Sequence, residues 1–573
     1  MRNSIYIVLI LIFPLLNSCS SGGGGSSSSS TPPVPYCSNI SSYSNAVTIT
    51  GNAQYEYRTN GNGAVAPPNP IRFAEIRVTN SAGSIIQCGE TAIDGSFSLS
   101  LPNDSSTATI YIASRADNSN VKAYILNNPT NNSFHFLSTN VTLDGSKSVG
   151  TLTASATGTL EGGAFNILDK ILDSNIYLRT QTANCGTTFN CTTFTVAPLV
   201  TVYWTAGLDP STYSSQLTSP LSFFIPSRNQ LYILGGVNGD VNNSDTDHFD
   251  DTIIIHEYGH FIENNFSIAD SPGGNHQGDN ILDPRLAWSE AFANFFQAEV
   301  TGVKFYRDTF GTPLGNNGVG INENLESGSI DSPTEAAEGN FREFAITRAL
   351  VDITDSNNEG ANDNLTATFE EFWTLLTSPT QGFGNSSQAF RSAGLFWQLQ
   401  STLPSGTDWS TVLASEEMLV GRDNYGNSLS NGSSCPTAIQ AQNVPGAATN
   451  KDPGQQPEDG SAANSNQFKS NDFYLINHGG GALNINLSYS TSSGSPADLD
   501  LYLYAEDYTF GGAFAGASFD VVPNGASGDS ENISLSNLAA GNYMINVNYF
   551  TLNGIASSAN YNLTINSQSV CPD

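Results

Sequence analysis

The sequence predicts a multidomain protein in which an N-terminal β-sandwich and a C-terminal β-sandwich flank a central α+β domain. Three observations carry this prediction. Residues 46–160 and 467–573 alternate apolar and polar side chains between turn signals, as half-buried strands do. Residues 161–436 instead carry longer patterns typical of helices. The chain has 573 residues, of which 38% are hydrophobic, so it can build several packed cores.

The charge balance limits the partners. The chain has 52 acidic and 19 basic residues, for a formal net charge of −33. A surface of this sign repels nucleic-acid phosphates and anionic membrane surfaces. We therefore expect no nucleic-acid partner and no attachment to a membrane through basic patches.

The start of the chain predicts export. Residues 1–18 read as a signal peptide, because the apolar run 5–16 is too short to span a bilayer, which takes about 20 residues. The sequence LNSC ending at Cys19 resembles a bacterial lipobox, which implies a lipid on Cys19; the alternative is a chance cysteine after an ordinary signal peptide. Residues 19–45 form a Gly/Ser/Pro-rich tether. We expect an extracytoplasmic protein, lipid-anchored to the outer membrane or cell surface.

The remaining six cysteines agree with export. An even number in an exported chain predicts up to three disulfides, although the sequence leaves the connectivity open. None of the spacings resembles a zinc site. Cys185 and Cys191 are a plausible local loop closure, and the pairs Cys37–Cys88 and Cys435–Cys571 would tie off the two ends.

The two flanking modules have recognisable relatives. The run 74–102 within residues 46–160 resembles the carboxypeptidase-regulatory-like or transthyretin-like sandwiches attached to secreted enzymes, and about seven strands are expected there. Residues 437–466 are polar and rich in Pro, Gly and Asn, which predicts an exposed linker. Residues 467–573 resemble the bacterial pre-peptidase C-terminal domain, through the segments DLDLYLY, SENISL and LAAGNYMINV…YNLTI.

The chemistry predicted for the central domain depends on the sequence HEYGH, residues 256–260. Two histidines four residues apart, His256 and His260, lie on one face of a helix and can bind one zinc ion. Glu257 lies about 100° around that helix, where it can reach a metal-bound water. Acidic residues ahead of the motif, Asp250 and Asp251, offer a cap and a favourable charge for the helix dipole.

A zinc protease needs a third protein ligand, and Glu290 is the preferred candidate. Asp283 and Pro284 signal a helix start, and on that helix Glu290 shares its face with apolar and small residues. A carboxylate there is costly unless something pairs it, as a metal on the facing helix would. Asn294, one turn on, is a candidate for orienting a ligand. His276 is the alternative third ligand, a donor lining the cleft, or a surface histidine.

HExxH followed by a glutamate on the next helix resembles the gluzincin metallopeptidases, the thermolysin-like clan. The resemblance covers residues 256–296 and implies a zincin-like fold for residues 161–436. It also implies Zn²⁺ bound by His256, His260 and Glu290, with Glu257 as the general base. The sequence departs from the clan in the 29 residues between His260 and Glu290 (290 − 260 − 1), a long connection, and in Asn294, where thermolysin-like enzymes carry an aspartate.

Other parts of the site are less determined. The donor that stabilises the oxyanion is expected among His276, Tyr306 and Arg342, and the strand predicted at 230–236 is the candidate edge for binding the substrate backbone. Two groups of acidic residues are candidates for Ca²⁺, with capping and solvation as alternatives. These groups are Asp270, Asp279 and Asp283, and Asp240, Asp245, Asp247, Asp250 and Asp251.

Together these patterns predict a membrane-anchored zinc endopeptidase that cleaves protein or peptide substrates. One alternative is an aminopeptidase of the same clan, which would need an acidic site for the substrate amine that the sequence does not locate. Another is an inactive surface adhesion or binding lipoprotein, which the intact HExxH motif opposes.

Overall fold

A computed structural model gives the fold. The predicted signal peptide, Cys19 and the start of the tether lie outside the described residues. The structure describes residues 34–572 except for 188, 215–218, 274–275, 277–281, 312–318, 327–338, 356–364, 381, 386–388, 404–407, 417, 419–426, 433–434, 441–470, 495–496, 507–514, 519–529 and 551–557.

Ten strands precede the first helix. They are β1 (Ala46–Tyr55), β2 (Asn69–Pro70), β3 (Glu75–Asn80), β4 (Ile85–Glu90), β5 (Ser96–Pro102), β6 (Thr107–Ala113), β7 (Arg115–Asp117), β8 (Lys122–Leu126), β9 (Phe136–Thr142) and β10 (Lys147–Ala154). In β1, Val47, Ile49 and every second residue after them are buried, as the alternation predicts. The count exceeds the expected seven because pairings as short as β2 leave no pattern in the sequence.

Eight of these strands form two four-stranded sheets. One has the order β10-β1-β2 with β5 also paired to β1, and the other has the order β4-β3-β6-β9. Residues of both sheets belong to one hydrophobic core, which continues into the first helix and beyond. The N-terminal part is therefore built of β-sheets, and their core is shared with the central part of the chain.

The other two strands correct the expected boundary at residue 160. They join a five-stranded sheet with β11 (Val200–Tyr203), β12 (Phe223–Ile225) and β13 (Gln230–Tyr232), in the order β12-β13-β11-β8-β7. Strand β8 runs parallel to β11, with Ala123 opposite Val200. The alternating pattern marked β8 as a strand, but a pattern of burial does not say which sheet receives it.

Among the described residues, seven α-helices and a hairpin complete the central part. The helices are α1 (Glu161–Gln181), α2 (Asp251–Phe266), α3 (Pro284–Thr301), α4 (Glu343–Thr354), α5 (Phe369–Thr377), α6 (Ala393–Leu399) and α7 (Ser410–Ser415); the hairpin is β14 (Phe305–Thr309) and β15 (Val319–Asn324). The helical patterns expected in residues 161–436 are thus confirmed, and α3 begins at the start signalled by Asp283 and Pro284. Helix α1 was not predicted as a separate element; its buried residues include Asn166, Asp169 and Asn175 beside the apolar ones.

Helices α2 and α3 pack closely. A side chain at Gly259 would place its Cβ 3.1 Å from the Cα of Ala293 and 3.3 Å from the ring of Phe296. Asp283 caps α3 by accepting from the backbone N–H of Arg285 at 3.0 Å, and Pro284 takes the first helical position, as predicted. The small residues therefore let the two helices that carry the predicted ligands approach one another.

The C-terminal part is rich in β-structure. Its strands are β16 (Asn427–Asn431), β17 (Thr437–Gln440), β18 (Asn471–His478), β19 (Gly481–Ser493), β20 (Asp498–Ala505), β21 (Gly516–Ser518), β22 (Ser530–Leu538), β23 (Gly541–Phe550), β24 (Ser558–Ile565) and β25 (Gln568–Pro572). They follow the order β21-β20-β23-β18-β16-β25-β24-β19-β22, with β17 paired to β24. Two boundaries are thereby corrected: β16 belongs to this sheet rather than to the domain ending at 436, and residues 437–440 of the expected linker form a strand.

Three disulfides tie the chain together. They join Cys37 to Cys88, Cys185 to Cys191 and Cys435 to Cys571, which is the expected pairing. Disulfides persist in oxidising compartments outside the cytosol. In the described part of the chain, no helix has the length and apolar character needed to cross a membrane.

Candidate metal centre

Helix α2 places His256 and His260 side by side. Their ring planes are nearly perpendicular, at 87°, and their Nε2 atoms are 3.2 Å apart. Asp250 occupies the N-cap position of this helix but does not cap it, contrary to expectation. Its carboxylate instead accepts from the backbone N–H of Thr309 at 2.8 Å, which ties the start of α2 to β14.

Glu290 on α3 brings a third ligand atom to the histidines. Its Oε2 lies 3.2 Å from the Nε2 of His256 and 3.2 Å from the Nε2 of His260. Around a tetrahedral zinc with bonds of roughly 2.0–2.1 Å, neighbouring ligand atoms lie about 3.3–3.4 Å apart. The observed triangle therefore fits zinc, and three protein ligands leave one position for water or substrate.

The outer nitrogens of both imidazoles have acceptors. The Nδ1 of His256 lies 2.9 Å from the Oδ1 of Asn294. The Nδ1 of His260 lies 3.2 Å from the Oγ of Ser289, which itself donates to Glu263 at 2.7 Å. An Nδ1–H donor in each ring leaves the Nε2 lone pair free to bind a metal. The tautomer that zinc requires is thus set by the surrounding residues.

The charges at the three ligand atoms favour a cation. Burial alone would lower the pKa of His260, but the Glu290 carboxylate outweighs it and raises that pKa to about 9. Burial would raise the pKa of Glu290, but His276 and His260 hold it well below its usual range. Two imidazole lone pairs facing a buried carboxylate need a positive charge between them, which a proton or a metal ion supplies.

Glu257 lies beside this group but is not part of it. The three clustered ligand atoms come from His256, His260 and Glu290, and Glu257 offers none to that cluster. The Glu257 residue is 8% exposed, and burial raises its pKa, while the charges of His256 and His260 oppose that shift. A carboxyl group in this position is suited to exchanging a proton with water at the site.

His276 approaches the same oxygen of Glu290 as the two helix histidines, but from a greater distance. Its Nε2 is 3.5 Å from the Oε2 of Glu290, and its Nδ1 is 2.7 Å from the Oε2 of Glu343. Burial lowers the pKa of His276, but Glu290 and Glu343 outweigh it and raise that pKa to about 10. His276 does not join the atom cluster of His256 and His260. The geometry therefore favours Glu290 over His276 as the third ligand.

The other predicted donors differ in position. The ring of Tyr306 lies 5.6 Å from the ring of His256, so it borders the site. Arg342 is 0% exposed at the start of α4.

Sequence reasoning missed three supporting residues, Ser289, Glu263 and Glu343. Ser289 adjoins Glu290 in the sequence, which was a usable signal, whereas only the fold brings Glu263 and Glu343 to the site.

The strand predicted at 230–236 to bind the substrate backbone is not at an edge of its sheet. Within residues 230–236 the structure has β13, and β13 is flanked by β11 on one side and β12 on the other. Its backbone is therefore paired on both sides. The edge strands of this sheet are β12 and β7. Strand β12 is the edge next to β13, with which it pairs antiparallel, Phe223 opposite Tyr232.

Most of the acidic groups expected to bind calcium have other partners. Asp270 pairs with Arg391 at 2.9 Å and Asp283 with Arg285 at 2.9 Å, while Asp279 lies outside the described residues. Asp251 lies 3.6 Å from Lys170, and Asp240 accepts from Asn243 at 2.8 Å. Only two members of the second group, Asp245 and Asp247, come together, and Asp308 joins them.

Comparison with known proteins relates the middle of the chain to proteases. Residues 182–396 match the family model described as the Mycolysin C-terminal domain. The matched region lies within the predicted residues 161–436 and contains the whole histidine–glutamate cluster. It is therefore a protease-related region.

Two further comparisons add little. The pre-peptidase C-terminal domain of a collagenase from Bacillus anthracis is 18% identical, covering 23% of this chain and 88% of its own, with a TM-score of 0.13. A likeness of this size supports no inference about function. No curated protein matches the chain.

Proposed function

We propose that the protein is a membrane-anchored, extracytoplasmic zinc endopeptidase. The observation that carries the proposal is the triangle of His256 Nε2, His260 Nε2 and Glu290 Oε2, with edges of 3.2 Å and with both outer imidazole nitrogens hydrogen-bonded. The match of the surrounding region to a protease family supports it.

The chain's own residues supply the remaining chemistry. A zinc ion bound by His256, His260 and Glu290 would activate water and polarise the peptide carbonyl. Glu257 takes the proton from the attacking water and returns it to the leaving amine. His276 donates its Nδ1–H to Glu343 at 2.7 Å, and its Nε2–H, which is 3.5 Å from Glu290, is the donor for the oxygen on which negative charge develops.

Hydrolysis of casein or gelatin by residues 20–573 tests the proposal. The parent is compared with Glu257→Gln and with Glu161→Gln, a matched change on α1 outside the site, and zinc is measured in all three. We expect Glu257→Gln to retain zinc and lose about 10²–10⁴-fold in rate, as removal of a general base does, while Glu161→Gln remains active. A parent that binds no zinc would exclude the enzyme and favour the adhesion lipoprotein.

The anchoring is tested separately. We expect a lipid on Cys19 to hold the enzyme at the outer membrane or cell surface, with residues 20–45 as the tether. Cys19→Ala should move the protein from the membrane fraction to the soluble fraction without changing its activity. Equal membrane association of the parent and the variant would contradict the lipid anchor.

A further inference from the structure

A second cluster of possible ligands lies outside the zinc site. It contains Asp245 and Asp247, from the segment before α2, and Asp308, from β14. One carboxylate oxygen from each residue lies within 4.8 Å of the others. Asp308 comes from a different element than the other two, so the cluster joins separate parts of the chain.

One carboxylate oxygen of each aspartate in this cluster is buried without a hydrogen-bond partner. The Oδ1 atoms of Asp245, Asp247 and Asp308 are each shielded from solvent and have no hydrogen bond. Asp247 is 4% exposed, and Ser222 donates to its Oδ2, so that its Oδ1 is left unpaired among the other carboxylates. A buried carboxylate oxygen without a partner is costly.

Among the described residues, no basic side chain is paired with the three aspartates. Burial raises the pKa of all three, that of Asp245 to about 6, and the neighbouring carboxylates raise those of Asp247 and Asp308 further. Either protons or a cation must therefore neutralise the cluster when the protein folds.

We propose that Asp245, Asp247 and Asp308 bind a calcium ion. Carboxylate oxygens are the ligands that Ca²⁺ prefers, and three aspartates supply three to six of its roughly six to eight ligand atoms. Zinc favours imidazole and thiolate, which this cluster lacks. The site is separate from the zinc ligands and does not depend on their identity.

The position of the cluster gives the ion a structural role. Thr309, next to Asp308, donates to Asp250 at the start of α2. Thr252, in the first turn of α2, donates to the backbone carbonyl of Arg307. Tyr306 on the same strand borders His256 at 5.6 Å. An ion between Asp308 and the segment before α2 therefore fixes β14, and with it Tyr306, against the helix that carries HExxH.

Calcium content and thermal stability test the site. The chain 20–573 is stripped of metal, reloaded with zinc, and melted with and without CaCl₂, together with Asp308→Asn and the control Asp240→Asn, a surface aspartate of the same segment. The parent and Asp240→Asn should bind one calcium per chain and gain about 2–4 °C in Tm when calcium is near 100 times Kd. Asp308→Asn should lose that gain.

Without calcium, the effect of Asp308→Asn on Tm should have the opposite sign. Because Asp308→Asn removes one of three mutually repelling carboxylates, we expect it to melt higher than the calcium-free parent. A merely structural role for Asp308 would lower its Tm instead and would contradict the proposal. Absence of a calcium-dependent gain in the parent, or an equal gain in Asp308→Asn, would also overturn it. These readouts do not use proteolysis, so failure of the zinc endopeptidase would leave them unaffected.

Discussion

Asn294 offers the sharpest test of how the candidate zinc site is built. Its Oδ1 accepts from the Nδ1 of His256 at 2.9 Å, and the two residues are 1% and 5% exposed. Asn294→Ala therefore leaves a buried N–H without an acceptor, which costs about 1–3 kcal/mol. If the cost falls on the zinc-bound state, zinc affinity decreases by about 10–100-fold, the range typical for loss of a residue that orients a ligand.

Asn294→Asp is the matched variant that keeps the hydrogen-bond acceptor. The aspartate keeps an acceptor at the same position and adds a charge, and charge-assisted hydrogen bonds are roughly twice as strong as neutral ones. We therefore expect Asn294→Asp to bind zinc at least as tightly as the parent. Asn265→Ala on α2 is the control, because Asn265 bonds to Asn229 and to the backbone of Phe261 rather than to a ligand.

The assay is competition for zinc between the apoprotein and a chromophoric chelator, with the melting temperature of each apoprotein as a check on folding. The reasoning predicts the order Asn294→Asp at or above the parent, Asn265→Ala equal to it, and Asn294→Ala well below it. An Asn294→Ala affinity within about a factor of two of the Asn265→Ala value would refute an orienting role for Asn294.

Three further predictions concern stability. Gly259→Ala should destabilise the protein by about 1–3 kcal/mol and weaken zinc binding, because its Cβ would lie 3.1 Å from the backbone of α3. The control is Gly479→Ala, where an added Cβ would meet nothing within 4 Å. Equal melting temperatures of the two variants would contradict the close contact at Gly259. Zinc near 1,000 times Kd should add up to about 4 kcal/mol to the free energy of unfolding. Its removal should therefore lower Tm in the parent and in Glu257→Gln alike, and an unchanged Tm would argue against zinc binding. Burial lowers the pKa of His248 to about 3, so its contribution to stability is fully present above pH of about 6.5 and is lost as the pH falls towards 3, by up to about 1.4 kcal/mol per pH unit. His248→Gln should therefore flatten the acid side of the stability curve, and a slope equal to the parent's would disprove the assignment.

Some features of the fold were predictable because they are local. The start of α3 follows from Asp283 and Pro284, whose cap and fixed backbone angle act within one turn. The alternation of β1 follows from the two-residue period of a strand. Helix α1 was not predicted, although Ala164, Leu168 and Ile171 recur at helical spacing. The burial of its Asn175 could not be read locally, because Asn175 donates to Tyr258 from a helix much later in the chain.

Which sheet a strand joins was harder to predict from the sequence. The segment 122–126 read correctly as a strand, but its partner is β11 rather than another strand of the N-terminal module. The segment 437–440 was too short and too near polar sequence to predict a strand, and its pairing with β24 supplies the missing hydrogen bonds. In both cases the decisive partner is distant in sequence, so no local pattern contains it.

By itself, the sequence determined that His256 and His260 share a helical face with Glu257 beside them, because helix geometry places residues four apart next to each other. Only the tertiary structure decided that Glu290 lies 3.2 Å from both imidazoles, that Asp250 bonds to Thr309 instead of capping α2, and that Asp308 joins Asp245 and Asp247. The physical reason is that the spacing along one helix is set by its backbone, whereas distances between elements depend on how residues such as Gly259 let them pack.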